Sequence, residues 1–196
     1  MNRAPDSNAL HTLGARALRE GYAAGSFSPV EVAQAVLARM ARWEPHLHAT
    51  WLLRPERALA EARASEARWR RGAPLSPLDG VPLTLKDNIA TQGDATPLGT
   101  AAVELTPAAA DAPPAARLRE AGAVLVSKTT MPDYGMLSSG LSSFHALARN
   151  PWDLRKGPGG SSAGAGAAAA AGYGPLHVGT DIGGSLRLPA SWCGIF

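Results

Sequence analysis

The chain has 196 residues, 45% of them hydrophobic and 18% charged, with a formal net charge of +3 at pH 7. That balance supports a sizeable buried core and argues against a disordered chain. No apolar run approaches the ~20 residues that a membrane-spanning helix needs. Sixteen of the nineteen basic residues are Arg, and eleven of these precede residue 73. They interleave with Glu and Ala, as in RALAEARASEARWRR, which reads as a solvated helix face rather than a nucleic-acid patch. Cys193 is the only cysteine, so an intramolecular disulfide is excluded and a reducing, cytoplasmic setting is expected. The first residues, MNRAPDSNAL, lack the apolar segment of a secretion signal, and none is expected there.

In chain order, residues 9–24 read as a short helix with Leu10, Leu13 and Leu18 inward. Ser28-Pro29-Val30-Glu31 has the form of a capped helix start, with Ser28 accepting from free amides, Pro29 at the first turn and Glu31 reaching back. Val32, Val36 and Met40 form an apolar stripe, and Pro45 closes the helix. Residues 48–53 read as a strand, and 55–71 as a helix stopped by Gly72. After the turn at 78–80, Val81, Leu83 and Leu85 alternate with Pro82, Thr84 and Lys86, as in a strand. Residues 91–106 read as loop. Residues 113–120 form a helix ended by Gly122, and 123–127 a buried strand; this helix–strand step indicates an α/β unit with a parallel sheet. A helix is expected over 131–141, loop over 145–160, a helix of very small residues over 162–171, and a strand over 176–179.

The stretch GPGGSSAGAGAAAAAGYGPLHVGTDIGGS, residues 157–185, contains two Gly-Gly-Ser units whose serines, Ser161 and Ser185, are 24 residues apart. A phosphate loop would require a Gly-Lys-Ser/Thr ending, which is absent. Gly160-x-Ser162-x-Gly164 has the spacing of a nucleophile elbow, but no strand precedes it. The acid and histidine that should follow are also out of order. Gly183 and Gly184 lack a Cβ, so backbone amides there can approach a carbonyl and stabilise a developing oxyanion; losing one such donor typically costs about 3 kcal/mol. A serine beside that hole needs a base. None of the five histidines is well placed. Lys86, one of three lysines, ends an apolar strand. To act as a base its pKa of about 10.4 must fall by roughly 3 units, about 4 kcal/mol in favour of the neutral form, which desolvation can supply. An ordinary lysine at a strand end remains the alternative on the residues alone.

These segments resemble the amidase signature hydrolases. The resemblance covers nearly the whole chain from about residue 12. It is carried by Gly80–Asn88 (GVPLTLKDN), Gly122-Ala123-Val124 with Lys128-Thr129, Arg149-Asn150-Pro151-Trp152, Pro158-Gly159-Gly160-Ser161-Ser162 and Gly179–Pro189. It implies an α/β fold with a mixed central sheet flanked by helices. It also implies a Ser–Ser–Lys triad: Ser185 as nucleophile, Ser161 as bridging serine on a cis peptide bond, and Lys86 as base. Ile182, Gly183, Gly184 and Ser185 would then supply oxyanion-hole amides, while Ser162, Asp181 and Arg187 orient the loop. Ala163 departs from the Gly found in many members. Members are usually well over twice this length. Residues 1–196 are therefore expected to form the N-terminal part of one amidase-signature domain, with the C-terminal part of the fold missing.

The activity implied is hydrolysis of a carboxamide C–N bond through an acyl-enzyme, without metal or cofactor. Two alternatives stand beside it: the glutaminase subunit of a tRNA-dependent amidotransferase, and an inactive remnant serving as an interaction module. The expected partners are a small amide substrate and either a second copy or the missing C-terminal half. Neither nucleic acid nor membrane is expected to bind directly.

Overall fold

The computed structural model describes residues 7–196. In chain order, a 3-10 helix at Ser7–Thr12 precedes α1 (Ala15–Ala23), α2 (Pro29–Leu47), β1 (Thr50–Leu53), α3 (Pro55–Arg70) and β2 (Pro82–Lys86). There follow α4 (Pro113–Glu120), β3 (Val124–Thr129), a 3-10 turn at Asp133–Gly135, α5 (Ala163–Ala171), β4 (Leu176–Val178) and α6 (Arg187–Cys193). The four strands form one sheet in the order β1-β3-β2-β4. β3, β2 and β4 are parallel, whereas β1 runs antiparallel to β3. The parallel sheet expected from the helix–strand step holds for β3, β2 and β4, and β1 makes the sheet mixed.

Helices cover both faces of the sheet, which is why every residue of β2 is buried. On one face, Val36 and Met40 of α2 and Ala167 and Ala171 of α5 pack with Val124 and Val126 of β3. Burying an apolar side chain of the size of Val or Met contributes about 1.5–3 kcal/mol. On the other face, Leu83 and Leu85 of β2 meet Ala115 and Leu118, carried by α4. Leu83 and Leu85 thus take the α4 side, and the alternation sends Thr84 and Lys86 to the opposite side.

α2 starts with the expected capping box: Glu31 N donates to Ser28 Oγ at 3.2 Å, and Ser28 N donates to the Glu31 carboxylate at 2.8 Å. It runs two residues past Pro45 and stops at His48 in the left-handed conformation, φ 49°. Many of the early arginines pair with acids: Arg16 with Glu20, Arg57 with Glu61, Arg70 with Glu66, Arg68 with Asp79 and Arg54 with Asp94. Among the described residues, no helix is long and apolar enough to cross a membrane.

Besides the helix running past Pro45, three expectations are corrected. The helix over 9–24 is two elements divided at Gly14. α6, with Pro189 inside its first turn, has no counterpart among the expected elements. Residues 131–141 form only the short turn at Asp133–Gly135, in which Tyr134 is at φ 50° and cannot propagate a helix. Tertiary hydrogen bonds take the place of the helical ladder. Tyr134 N donates to Leu98 O at 2.8 Å, and the Asp133 carboxylate accepts from Ser143 N at 2.9 Å and from its hydroxyl.

Candidate active site

Lys86 ends β2 on the side of the sheet that faces the approach to α5. Only 1% of its surface is exposed. Its Nζ lies 2.8 Å from Ser161 Oγ and 2.9 Å from Thr180 Oγ1. Ser161 Oγ in turn lies 3.0 Å from Ser185 Oγ. Three side chains far apart in sequence therefore form one hydrogen-bonded line from a buried amine to a hydroxyl at a cleft. Loss of hydration is the largest influence on Lys86 and pulls its pKa from 10.5 down to about 8; the charges of Asp87 and Asp181 oppose it. A shift of that size corresponds to about 3 kcal/mol in favour of the neutral amine.

The backbone makes this convergence possible. Ser161 follows a cis peptide bond from Gly160. A Cβ on Gly160 would lie 2.6 Å from the backbone of Leu137 and Ser139. Only a residue without a side chain fits there. Gly164, in the first turn of α5, meets Ala49 O and Thr130 N in the same way, at 2.0 and 2.5 Å from a would-be Cβ. The small residues of α5 thus bring the helix start into backbone contact with the chain flanking β1 and β3.

The segment carrying Ser185 is tied to the start of α5. Ser162 N donates to Ser185 O at 3.0 Å. Ser162 Oγ donates to Thr180 O at 3.2 Å and accepts from Thr180 N at 3.3 Å. Asp181 organises the turn itself. Its carboxylate accepts from the amides of Gly184 (2.7 Å), Leu186 (3.0 Å) and Arg187 (3.3 Å), and from the Arg187 guanidinium at 2.9 and 3.1 Å. The Arg187 hydrogen bonds, followed by those of the amides, hold the Asp181 carboxyl far below the usual carboxylate range. One amide expected in the oxyanion hole is thereby engaged: Gly184 N–H points to Asp181. Ile182 and Gly183 are exposed beside Ser185 and make no amide hydrogen bond among the described residues. Ser185, Ser161 and Thr180 open onto a cleft of about 310 Å³, walled by Tyr134–Ser138, Ile182, Gly183 and Leu188.

Thr180 and Asn88 lie inside the motifs, but sequence reasoning assigns neither a role. Thr180 Oγ1 is the second partner of Lys86, and Asn88 Nδ2 donates to it at 3.1 Å. The signal lies in the adjacency of Thr180 to Asp181 and in the closeness of Asn88 to Lys86. The other buried lysine, Lys128, pairs in register with Leu85 and donates to Ile89 O at 2.8 Å. Among the described residues it has no hydroxyl partner, and it holds the chain leaving β2. His177 has both ring nitrogens occupied: Thr84 Oγ1 donates to Nδ1 at 2.9 Å, and Nε2 donates to Gly174 O at 3.0 Å.

The amidase family model matches residues 31–196. The chain belongs to the amidase family. Among its relatives is a glutamyl-tRNA(Gln) amidotransferase subunit from Chloroflexus aggregans, 45% identical over 95% of this chain and 38% of that protein. Among solved structures, a protein from a vestigial complex linked to the evolutionary origins of an s-triazine catabolic enzyme superposes with a TM-score of 0.89 at 38% identity. That match covers 93% of this chain and 40% of the other. The peptide amidase of Stenotrophomonas maltophilia superposes with a TM-score of 0.84 at 34% identity, over 90% of this chain and 38% of its own. The amidase chain described here therefore spans about two fifths of the length of these relatives, and its fold is the corresponding part of theirs.

Proposed function

We propose that this chain carries the catalytic centre of an enzyme that hydrolyses carboxamide C–N bonds through an acyl-enzyme. The observation that carries the reading is the line Lys86–Ser161–Ser185, with links of 2.8 and 3.0 Å and a lysine whose pKa is pulled to about 8. A neutral amine has one lone pair and two N–H groups. Thr180 Oγ1 can take an N–H, which leaves the lone pair for the hydroxyl proton of Ser161. Ser161 then accepts the proton of Ser185 as Ser185 Oγ attacks the amide carbon. The C–N bond breaks as the proton returns through Ser161 to the departing nitrogen. Water, deprotonated along the same path, releases the acid. Ile182 and Gly183 offer uncommitted amides to the oxyanion, each typically worth about 3 kcal/mol when aimed well. Nucleophile and base both come from side chains, so the proposal requires no metal or cofactor, and we place the reaction in the cytoplasm.

A second reading, glutamine hydrolysis that supplies ammonia to a partner, is favoured by one observation. The relative that is 45% identical bears the name of an amidotransferase subunit. In both readings the remaining walls of the acyl pocket come from protein beyond this chain or from a second copy. The third reading, an inactive interaction module, predicts that neither serine reacts.

Treating the chain with a fluorophosphonate and mapping the adduct tests the proposal. The adduct is expected on Ser185 and should vanish in Ser185→Ala and Lys86→Met. A folded chain that takes no label at Ser185 sinks it. Ammonia release from glutamine, compared with neutral carboxamides and with or without added amidotransferase subunits, separates the first two readings.

A further inference from the structure

Asp87 follows Lys86 directly, and its side chain is fully buried. Gly99 N donates to its Oδ2 at 2.7 Å, and His145 Nε2 lies 2.9 Å from the same oxygen. The acceptor is a carboxylate, so Nε2 carries the proton. The His145 ring is 1% exposed and packs against Phe144 and Trp51, with centroids 5.0 and 5.6 Å away. A second route joins the same residues. His145 N donates to Ser142 Oγ at 2.8 Å, and Ser142 Oγ donates to Gly99 O. Asp87, Gly99, Ser142 and His145 thus form a closed ring of hydrogen bonds. It joins the end of the lysine-bearing strand to the loop between the Asp133 turn and Asn150.

None of the four residues lines the cleft, but the loop they hold does. Tyr134–Ser138 form one wall of it. The Leu137 and Ser139 backbone presses on Gly160, the residue before Ser161. This loop has no helical or strand ladder of its own between the Asp133 turn and α5. Its position must therefore come from tertiary bonds, and a buried hydrogen bond to a carboxylate is among the strongest available.

We propose that His145 is a positioning residue. By closing the ring on Asp87 it fixes the Tyr134–Ser139 wall against Gly160 and Ser161, and so sets how substrate fits the cleft. The inference rests on the reading of that cleft as the amide site. Its first test does not depend on that reading. His145→Phe keeps the ring packing and removes the donor; His145→Gln restores an N–H. Hydrogen exchange at the hydrogen-bonded amides of Tyr134, Gly135, Met136 and Ser143 is expected to rise about tenfold or more in His145→Phe and to return most of the way in His145→Gln. Fluorophosphonate labelling of Ser185 should need a several-fold higher probe concentration for half-maximal rate in His145→Phe, with the limiting rate changed less. If His145→Phe does not fold, Ser142→Ala opens the same ring from its other side and carries the same expectations. Unchanged exchange in a folded variant overturns the proposal, and so does an opened loop with unaltered labelling. Absence of label in the unmodified chain would instead remove the proposed function and leave the exchange result standing.

Discussion

Ser162 and Ser185 are joined backbone to backbone, the amide of the first donating to the carbonyl of the second at 3.0 Å. The start of α5 is therefore tied directly to the turn that carries Ser185. The Ser162 hydroxyl strengthens the joint through Thr180. Ser162→Ala leaves two Thr180 backbone groups without a partner, which costs about 2 kcal/mol. A thermal melt should show a drop of roughly 4–8 °C for a chain of this size. Labelling of Ser185 should slow by more than the melt alone explains, because Thr180 also holds Lys86.

Lys86 predicts two pH effects with one origin. Its folded pKa, about 8, lies below its ordinary 10.5. In the proposed mechanism labelling of Ser185 requires the neutral amine, so its rate should rise through about pH 8 and level off above. Stability should also rise with pH between about 8 and 10.5, since over that window the unfolded chain binds more protons than the folded one. Below that window the buried charge costs about 3 kcal/mol. Urea denaturation of Lys86→Met beside the unmodified chain at several pH values checks this. The variant should lack that rise, and its labelling should be abolished. A rate profile that is flat from about pH 6 to about pH 10 would contradict the assignment of Lys86 as base.

Asp181 and Arg187 are paired, but their substitutions should differ. Asp181 gathers three backbone amides, whereas Arg187 is 76% exposed and contributes mainly an exposed ion pair. Exposed pairs contribute little, so Arg187→Ala should change the labelling rate by no more than about threefold. Asp181→Ala should reduce it by roughly a hundredfold, because the turn loses its internal template. Parallel labelling time courses distinguish the two.

Gly164→Ala places a methyl group 2.0 Å from Ala49 O and 2.5 Å from Thr130 N. Backbone cannot yield as a side-chain tip can, so the cost should reach about 3 kcal/mol or prevent folding. Ala163→Gly, one residue earlier, should cost about 1 kcal/mol or less. Chemical denaturation of the two variants gives the comparison.

Local chemistry makes much of this molecule legible. The Ser28–Glu31 box, the alternation through Leu83 and Leu85 and the small-residue helix all express short-range rules, and the structure follows them. Lys86, Ser161 and Ser185 stand out because their residue types suit acyl transfer; the matching family motifs then assign each a place. The failures have a common cause in tertiary contact. Met131, Tyr134, Leu137 and Leu141 recur at helical spacing, yet Tyr134, Leu137 and Leu141 face outward at 55%, 44% and 57% exposure, and bonds to Leu98 and Ser143 decide the path. Pro189 hides α6 through the usual aversion of proline to helix interiors. Gly184 is expected to offer a free amide, but the Asp181 carboxylate that claims it cannot be placed without the turn.

β4 pairs with β2 on one side only, and among the described residues its outer side meets no strand. The chain leaves β4 at Val178 and reaches Thr180 two residues later. A ribbon laid along that rim would therefore flank a strand that ends close in sequence to Thr180, the second hydrogen-bond partner of Lys86. In the proposed function, polypeptide that extended the sheet there would also help to enclose the substrate, which would couple architectural growth and selectivity at a single seam.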